Sequence, residues 1–97
     1  MRLISRGRIS RIDQLCLAMD IRKRIGWNIR RLRAARELTQ EDFATDSGFD
    51  RGYISGLERG VRNPSVLVLE RIAKALDVDV AELMDPKQAE LFSKARH

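Results

Sequence analysis

The spacing of apolar residues along the chain predicts helices and no strands. Ile25, Ile29 and Leu32 lie on one face of a predicted helix, and arginines fill the positions between them. A longer periodic segment runs to Leu76 and has a similar inner face. Its members are Leu69, Ile72, Ala73 and Leu76. No stretch of useful length alternates with a period of two, so we predict an all-α chain.

Capping residues place two short helices in the middle of the chain. Thr39, with Asp42 three residues later, predicts a capping box at the start of a helix over residues 40–47. Gly48 is placed to end that helix in the left-handed conformation, and a short turn leads to a helix over residues 51–59. This arrangement is typical of the helix-turn-helix motif, whose second helix enters the major groove of DNA.

Further caps divide the C-terminal half. Ser65 or Asn63 can cap the longer helix, and Asp79 can cap a short helix after it. Asp85, followed by proline, predicts a last helix. We therefore predict an N-terminal extension, a helix-turn-helix DNA-binding domain, and a C-terminal helix or tail. These parts are residues 1–20, 21–85 and 86–97.

Charge is unevenly distributed along the 97 residues. Residues 1–36 hold eleven lysines and arginines and two aspartates, whereas residues 37–97 hold eight basic and twelve acidic residues. The balance is +9 in the first segment and −4 in the second, which gives the net charge of +5. A basic segment favours a polyanionic partner, although lysines and arginines also serve only to solvate a surface.

The chain offers little material for catalysis or metal binding. Cys16 is the single cysteine and His97 the single histidine, which excludes an intrachain disulfide and a thiolate zinc cluster. We expect the Cys16 thiol to be buried and unreactive. No apolar run is long enough to span a membrane, and no secretory signal opens the chain. We expect a cytoplasmic, nucleoid-associated protein that is not an enzyme and has no metal, cofactor, evident small-molecule ligand or membrane partner.

The helix over residues 51–59 has two contrasting faces. Ile54 and Leu57 lie on the predicted buried side. The opposite, exposed strip consists of Arg51, Gly52, Ser55, Gly56 and Arg59. Each glycine weakens a helix by about 1 kcal/mol relative to alanine. We interpret the glycines as positions where the backbone approaches a flat partner closely, although neutral variation at a surface is the alternative.

Five stretches follow one another between Ile25 and Met84. They are IRRLR, LTQED, SGFDRGYISGLERG, RNPS and ERIAKALDVDVAELM. With these stretches the chain resembles the Cro/C1-type (phage-repressor-like, XRE) helix-turn-helix family. The segment DRGYISGLERGVRNPS is also similar to the small controller proteins of restriction–modification systems. The resemblance implies an all-α, five-helix DNA-binding domain, with short N- and C-terminal helical extensions in this chain.

The resemblance also implies a set of DNA-contacting residues. They are Gln40, Arg51, Gly52, Tyr53, Ser55, Gly56, Arg59, Arg62 and Asn63. In the family, the position of Gln40 touches a phosphate and braces the next helix, whereas that of Arg51 contacts bases. Arginine is suited to guanine O6 and N7. Relatives carry longer polar side chains at the two glycine positions, so we expect fewer base contacts here and more dependence on DNA shape.

The resemblance further implies a structural ion pair and a dimer. Relatives pair the positions of Arg33 and Glu58 inside the protein. They dimerise through the region that follows Asp79, where the apolar candidates are Val80, Leu83, Met84, Leu91 and Phe92. We expect Leu83→Asp to give monomers that still fold.

Trp27 and the N-terminal extension lie outside this pattern. Trp27 lies opposite the apolar face of its own helix, so the minimal domain would leave it exposed. A covering N-terminal helix or a second subunit would explain a tryptophan at this position. Residues 1–20 hold an amphipathic set that fits such a helix. Its members are Ile12, Leu15, Cys16 and Met19. The alternative is that Met19 is the natural start and residues 1–18 are a frayed leader.

The sequence therefore predicts a dimeric transcriptional regulator that binds double-stranded DNA at a palindromic operator, controller-like and autoregulatory. The alternative from another class is an antitoxin-like protein-interaction module that also binds its own promoter. RNA binding is a third hypothesis, and the lack of exposed stacking aromatics argues against it.

Overall fold

Six α-helices lie within residues 19–96, the part of the chain that the computed structural model describes. Residues 1–18, with the predicted N-terminal helix and Cys16, and residue 97 lie outside the described residues. The helices are α1 (Ile21–Ala35), α2 (Gln40–Ser47), α3 (Arg51–Arg59), α4 (Val66–Leu76), α5 (Val80–Leu83) and α6 (Pro86–Ala95). The all-α prediction is confirmed.

The helix ends follow the capping pattern of the sequence. Thr39 and Asp42 form both bonds of the capping box that opens α2, and Gly48 ends that helix with a φ of 79°. The Ser65 hydroxyl, not Asn63, caps α4 by accepting from the Val68 N–H. Each cap satisfies backbone groups that a helix end leaves unpaired, and Gly48 ends α2 where the short α2–α3 turn begins.

Asp20 opens α1 with a charged cap. Its carboxylate accepts from the Arg22 N–H at 2.8 Å and from the Arg22 guanidinium at 3.1 Å. The side-chain hydrogen bonds from Arg22 are the main cause that lowers the pKa of Asp20 from 3.8 to about 2. The cap therefore stabilises α1 above pH 3.8, and this contribution is lost as the pH falls through about 2.

The core is formed by apolar side chains from all five of the helices α1 to α5. Its fully buried side chains include Ile29, Phe43, Ile54, Ile72, Leu76 and Leu83. The apolar positions that predicted the helices are the ones that fill this core. α6 lies against α1, outside the main cluster.

Leu83 corrects the predicted dimer surface. Its side chain is 0% exposed and belongs to the core, so its assignment to a dimer contact is wrong. Val80 and Met84 are half-buried and also pack against the core, whereas Leu91 is 54% exposed. Because α5 is so short, all its residues lie close to α1 and α4, and the helix has no free apolar face.

Trp27 is covered from a direction that the sequence did not indicate. Within residues 19–96 its cover comes from α6: the Phe92 ring meets the Trp27 ring edge-on, with centroids 6.1 Å apart and planes inclined by 64°. The Arg30 guanidinium lies 4.7 Å above the Trp27 ring. The C-terminal helix thus serves the purpose that we assigned to an N-terminal helix or a second subunit.

Two arginines donate hydrogen bonds to carbonyls at the C-termini of helices other than their own. Arg36, just after α1, donates to the Leu76 carbonyl at the end of α4 at 2.7 Å. Arg71 of α4 donates to the Ser47 and Gly48 carbonyls at the end of α2 at 3.1 and 3.3 Å. These bonds satisfy carbonyls that the helices leave open, and they place a positive charge at the negative end of each helix dipole.

Asn28 is the buried polar residue that ties α1 to the α5–α6 junction. Its side-chain amide donates to the carbonyls of Leu83 and Asp85, at 2.9 Å each, and is 0% exposed. Its Oδ1 atom accepts two bonds from Arg31 at 3.2 and 3.1 Å. Both the nitrogen and the oxygen of this buried amide therefore have hydrogen-bond partners.

We expect Asn28→Ala to lower the free energy of unfolding by about 2–4 kcal/mol. Two carbonyls lose their donor, and a fully buried unsatisfied group costs about 1–3 kcal/mol, but the bond to Asp85 is only partly buried. Urea unfolding followed by circular dichroism would measure the change. Asn63→Ala is the matched control, since Asn63 is exposed and makes no side-chain hydrogen bond within the described residues. Equal stability of the two variants would contradict a structural role for Asn28.

Candidate nucleic-acid interface

α3 presents a polar, basic face beside the short α2–α3 turn. Its inner residues Ile54 and Leu57 are 0% and 1% exposed and hold the helix against the core. Arg51, Gly52 and Arg59 are exposed on the outer face. Ser55 and Tyr53 are half-buried beside them, and Asn63 is exposed beyond the end of the helix. The structure therefore brings most of the predicted contact residues to one surface.

Gly56 is an exception, and its predicted exposure is wrong. Gly56 is buried, and a Cβ atom at this position would lie 2.9 Å from the Cγ atom of Arg62 and 3.1 Å from its Nε atom. The missing side chain leaves room for Arg62 to fold back over α3. Gly52 is exposed, and an added Cβ atom there would approach the carboxylate of its N-cap residue, with Asp50 Oδ2 at 2.8 Å, and no side chain from beyond the helix. The two glycines therefore have different roles.

Arg62 stands over an aromatic pair at the edge of this surface. Its guanidinium carbon lies 5.5 Å from the centroid of the Tyr53 ring, a cation–π distance. Tyr53 in turn contacts Phe49 of the turn, with ring centroids 5.3 Å apart. Because the ring fixes the direction of the arginine, less side-chain entropy is lost when Arg62 binds an anion.

The carboxylate of Glu58 organises the inner side of the interface. Arg33 donates to it through two bonds of 2.7 and 3.0 Å, and Gln40 donates through its side-chain amide at 3.0 Å. The Glu58 side chain is 0% exposed. α1 and α2 are thereby both attached to α3, and removing one partner of a buried pair costs about 3–5 kcal/mol. The structure brings together Arg33 and Glu58, and Gln40, which the resemblance gave as a brace, contacts α3 through the same carboxylate.

Arg30 joins this group and was missed in the sequence. Its Nε atom is 3.6 Å from the Glu58 Oε1 atom, and its side chain is 36% exposed. The signal that would have found it is its spacing: Arg30 precedes Arg33 by three residues and therefore shares its helix face. Phe49 was also missed, because a single aromatic in a turn gives no periodicity.

Two negative findings apply to residues 19–96. No group of three or more His, Cys, Asp or Glu side chains in this range is arranged to hold a metal ion. None of the helices described is both long enough and apolar enough to cross a bilayer.

Comparison with known proteins places the chain among transcriptional regulators. A family model described as helix-turn-helix matches residues 29–83. The HTH-type transcriptional regulator y4dJ of Sinorhizobium fredii is 50% identical over 68 residues, which cover 70% of this chain and 88% of the relative. The restriction–modification controller protein C.AhdI from Aeromonas hydrophila is 44% identical, with a TM-score of 0.62, over 64% of this chain and 94% of that protein.

A further solved structure includes DNA. It is the tetramer of the controller protein C.Esp1396I in complex with its natural 35 base-pair operator, 36% identical with a TM-score of 0.60. The match covers 78% of this chain and 93% of that protein. These relatives are regulators and controller proteins, not enzymes. The chain belongs to the Cro/C1-type helix-turn-helix family of transcriptional regulators, and its relatives include restriction–modification controller proteins.

Proposed function

We propose that this protein is a sequence-specific, cytoplasmic transcriptional regulator that binds a two-fold-symmetric operator as a homodimer. α3 is the recognition helix, and α2 supports it on the DNA backbone. By analogy with its controller relatives, the operator lies in the promoter of its own gene.

The observation that carries this proposal is the distribution of charge on α3. The helix holds three charged residues, and the two arginines, Arg51 and Arg59, are exposed. The third, Glu58, is turned inward and is buried. Asp50 lies at the N-cap, where its carboxylate accepts from the Tyr53 N–H. The outer face of α3 itself is thus free of acidic groups that would repel phosphates.

Specificity then rests on few side chains. Arg51 is exposed at the first position of α3, where the N-terminal residues of a recognition helix meet base edges. Gly52 adds no side chain beside it, so the backbone can approach the groove closely. Arg62 is held at the rim by Tyr53 and is placed for a phosphate or the groove edge. This composition favours one direct base contact supplemented by DNA shape.

We infer a dimer because one recognition helix contacts only a short stretch of DNA. Two-fold partners place their recognition helices about 34 Å apart, one turn of DNA. With Leu83 buried, the most exposed large apolar residues described are Val66 and Leu67 in the first turn of α4, 76% and 75% exposed. We assign the dimer contact to these neighbouring residues, because α4 directly follows the recognition helix. Leu91 of α6 is the next candidate.

We expect Arg51→Ala to lose about 1–3 kcal/mol of operator binding and to relax the preference at one base position. Operators would be selected by the wild-type protein from random duplexes and compared with DNA of its own promoter. Wild-type affinity should fall steeply with salt, because each neutralised phosphate releases counterions. Fluorescence anisotropy at several salt concentrations measures both quantities.

Lys74→Ala is the control, because Lys74 is an exposed cation in the last turn of α4. It should leave the base preference unchanged. Wild-type affinity that barely changes between low and physiological salt would refute phosphate contacts by the basic face of α3, and an absence of any duplex binding would refute the proposed function. An unchanged preference profile in Arg51→Ala would refute the proposed orientation of α3.

A further inference from the structure

A basic cleft lies where α1, the start of α2 and the end of α6 come together around Glu58. Its volume is about 300 Å³, at the lower end of the range for ligand sites. The cleft is lined by Arg30, Arg33, Ala34, Gln40, Glu58, Phe92 and Arg96. Three guanidinium groups and one carboxylate therefore line the same cleft.

The carboxylate inside the cleft is already engaged. Glu58 accepts the short bonds from Arg33 and Gln40 described above, and its side chain has no exposed surface. Arg30 approaches the same carboxylate only at 3.6 Å and keeps 36% of its side chain exposed. Its guanidinium, which lies over Trp27, has donors left for a second anion.

Arg96 supplies a further charge from the last turn of the chain that the structure describes. Its guanidinium lies 4.6 Å above the Phe92 ring, which holds it at the mouth of the cleft. Within residues 19–96 this guanidinium makes no hydrogen bond or ion pair. The Phe92 ring is itself fixed against Trp27, so the packing of α6 on α1 determines where the charge of Arg96 lies.

A second cleft continues the basic surface on the other side of Arg30. It has a volume of about 220 Å³ and shares Arg30 and Glu58 with the first. Its other lining residues are Lys23, Trp27 and Arg59. The two clefts together hold five cationic side chains and a single carboxylate, which is buried. Two adjoining clefts with this many cations match several neighbouring anions better than one isolated ion.

We propose that the cleft between α1 and α6 binds a phosphate group through Arg30 and Arg96, and that the phosphate belongs to the backbone of the bound duplex. The planar guanidinium group donates two parallel hydrogen bonds to phosphate oxygens, which favours this ligand chemistry. The choice of DNA as the source rests on the proposed function, because Gln40 and Arg59 connect the two clefts to the helix-turn-helix surface. The C-terminal helix thus extends the DNA contact beyond α2 and α3.

Arg96→Gln in the full chain tests the DNA source. Each lost phosphate contact makes the slope of log affinity against log salt shallower by about 0.9. When the salt concentration is raised fourfold, the factor by which the affinity of the variant falls should therefore be about 3.5 times smaller than that of the wild type. The loss should be equal for all duplex sequences, since a backbone contact carries no base information. Lys87→Gln removes an exposed cation from the same helix outside the cleft and should leave the slope unchanged.

A second measurement, without DNA, tests the chemistry itself. Inorganic phosphate is titrated against chloride at constant ionic strength, and the guanidinium signals of Arg30 and Arg96 are followed by NMR. Shifts in the wild type that are lost in Arg96→Gln support a phosphate site. If these shifts occur while the salt slope is unchanged, the site binds free phosphate compounds instead of the duplex backbone.

Failure of this proposal can be separated from failure of the proposed function. A wild-type protein that binds no duplex but shows the phosphate shifts would refute the proposed function and leave the cleft a phosphate site. Normal operator binding with neither a slope change nor a shift would overturn the cleft proposal alone. Circular dichroism melting of Arg96→Gln is expected to match the wild type, because Arg96 is exposed.

Discussion

Leu83→Asp is expected to unfold the protein. The side chain of Leu83 is 0% exposed and packs in the core beside α1 and α4. Truncating a buried leucine costs about 2–5 kcal/mol, and the new carboxylate would be buried without a partner at a further cost of several kcal/mol. The whole free energy of unfolding of a domain is only about 5–15 kcal/mol. Circular dichroism should show a chain without a cooperative thermal transition.

Leu67→Asp provides the matched comparison, because it introduces the same carboxylate on a leucine that is 75% exposed. Its stability as a monomer should change by no more than about 0.5 kcal/mol. If the first turn of α4 forms the dimer contact, sedimentation should show a monomer with much weaker operator binding. A folded Leu83→Asp monomer would instead restore α5 as the interface, and a dimeric Leu67→Asp would point to Leu91.

Gly26→Ala is expected to have the second-largest effect. A Cβ atom on Gly26 would lie 2.5 Å from the Glu58 carbonyl oxygen and 2.6 Å from that of Leu57. Both atoms belong to the backbone of α3, so no side chain can turn aside and the two helices must separate. Overpacking typically costs about 1–3 kcal/mol, and we expect the upper end or more here. Displacement of α3 should also weaken operator binding.

Gly52→Ala makes the same change on the exposed face of α3. An added Cβ atom would approach only the flexible carboxylate of Asp50. The gain of about 1 kcal/mol from helix propensity is opposed by a weaker cap, so the stability should stay within about 1 kcal/mol of the wild type. Urea unfolding of both variants measures the contrast. Equal stabilities would show that α1 and α3 do not approach each other as closely as described.

The local elements could be predicted because their signals lie within a few residues. The capping box of Thr39 and Asp42 and the left-handed Gly48 depend on neighbours in the chain, and both are present. The inward faces of α3 and α4 followed from periodicity for the same reason. The helix-turn-helix arrangement can therefore be predicted from the sequence.

The predictions that were wrong concern residues whose surroundings are set by parts of the chain distant in sequence. A helical wheel places Gly56 outside, but the chain returns after α3 and lays Arg62 across it. Leu83 has the same apolar character whether it faces the core or a second subunit, so only the packing of α5 decides. Asn28 carried no signal at all, because its partners are carbonyls 55 and 57 residues away.

The packing of Trp27 has a practical consequence for spectroscopy. Trp27 is the only tryptophan of the chain, and within the described residues it lies between the Arg30 guanidinium and the Phe92 ring. Its emission therefore reports whether α6 is docked on α1, whereas far-ultraviolet dichroism reports the helices as a whole. Coincident unfolding transitions by the two signals would make α6 part of one cooperative unit. An earlier transition in emission would reveal a C-terminal helix that detaches while the recognition helix stays folded.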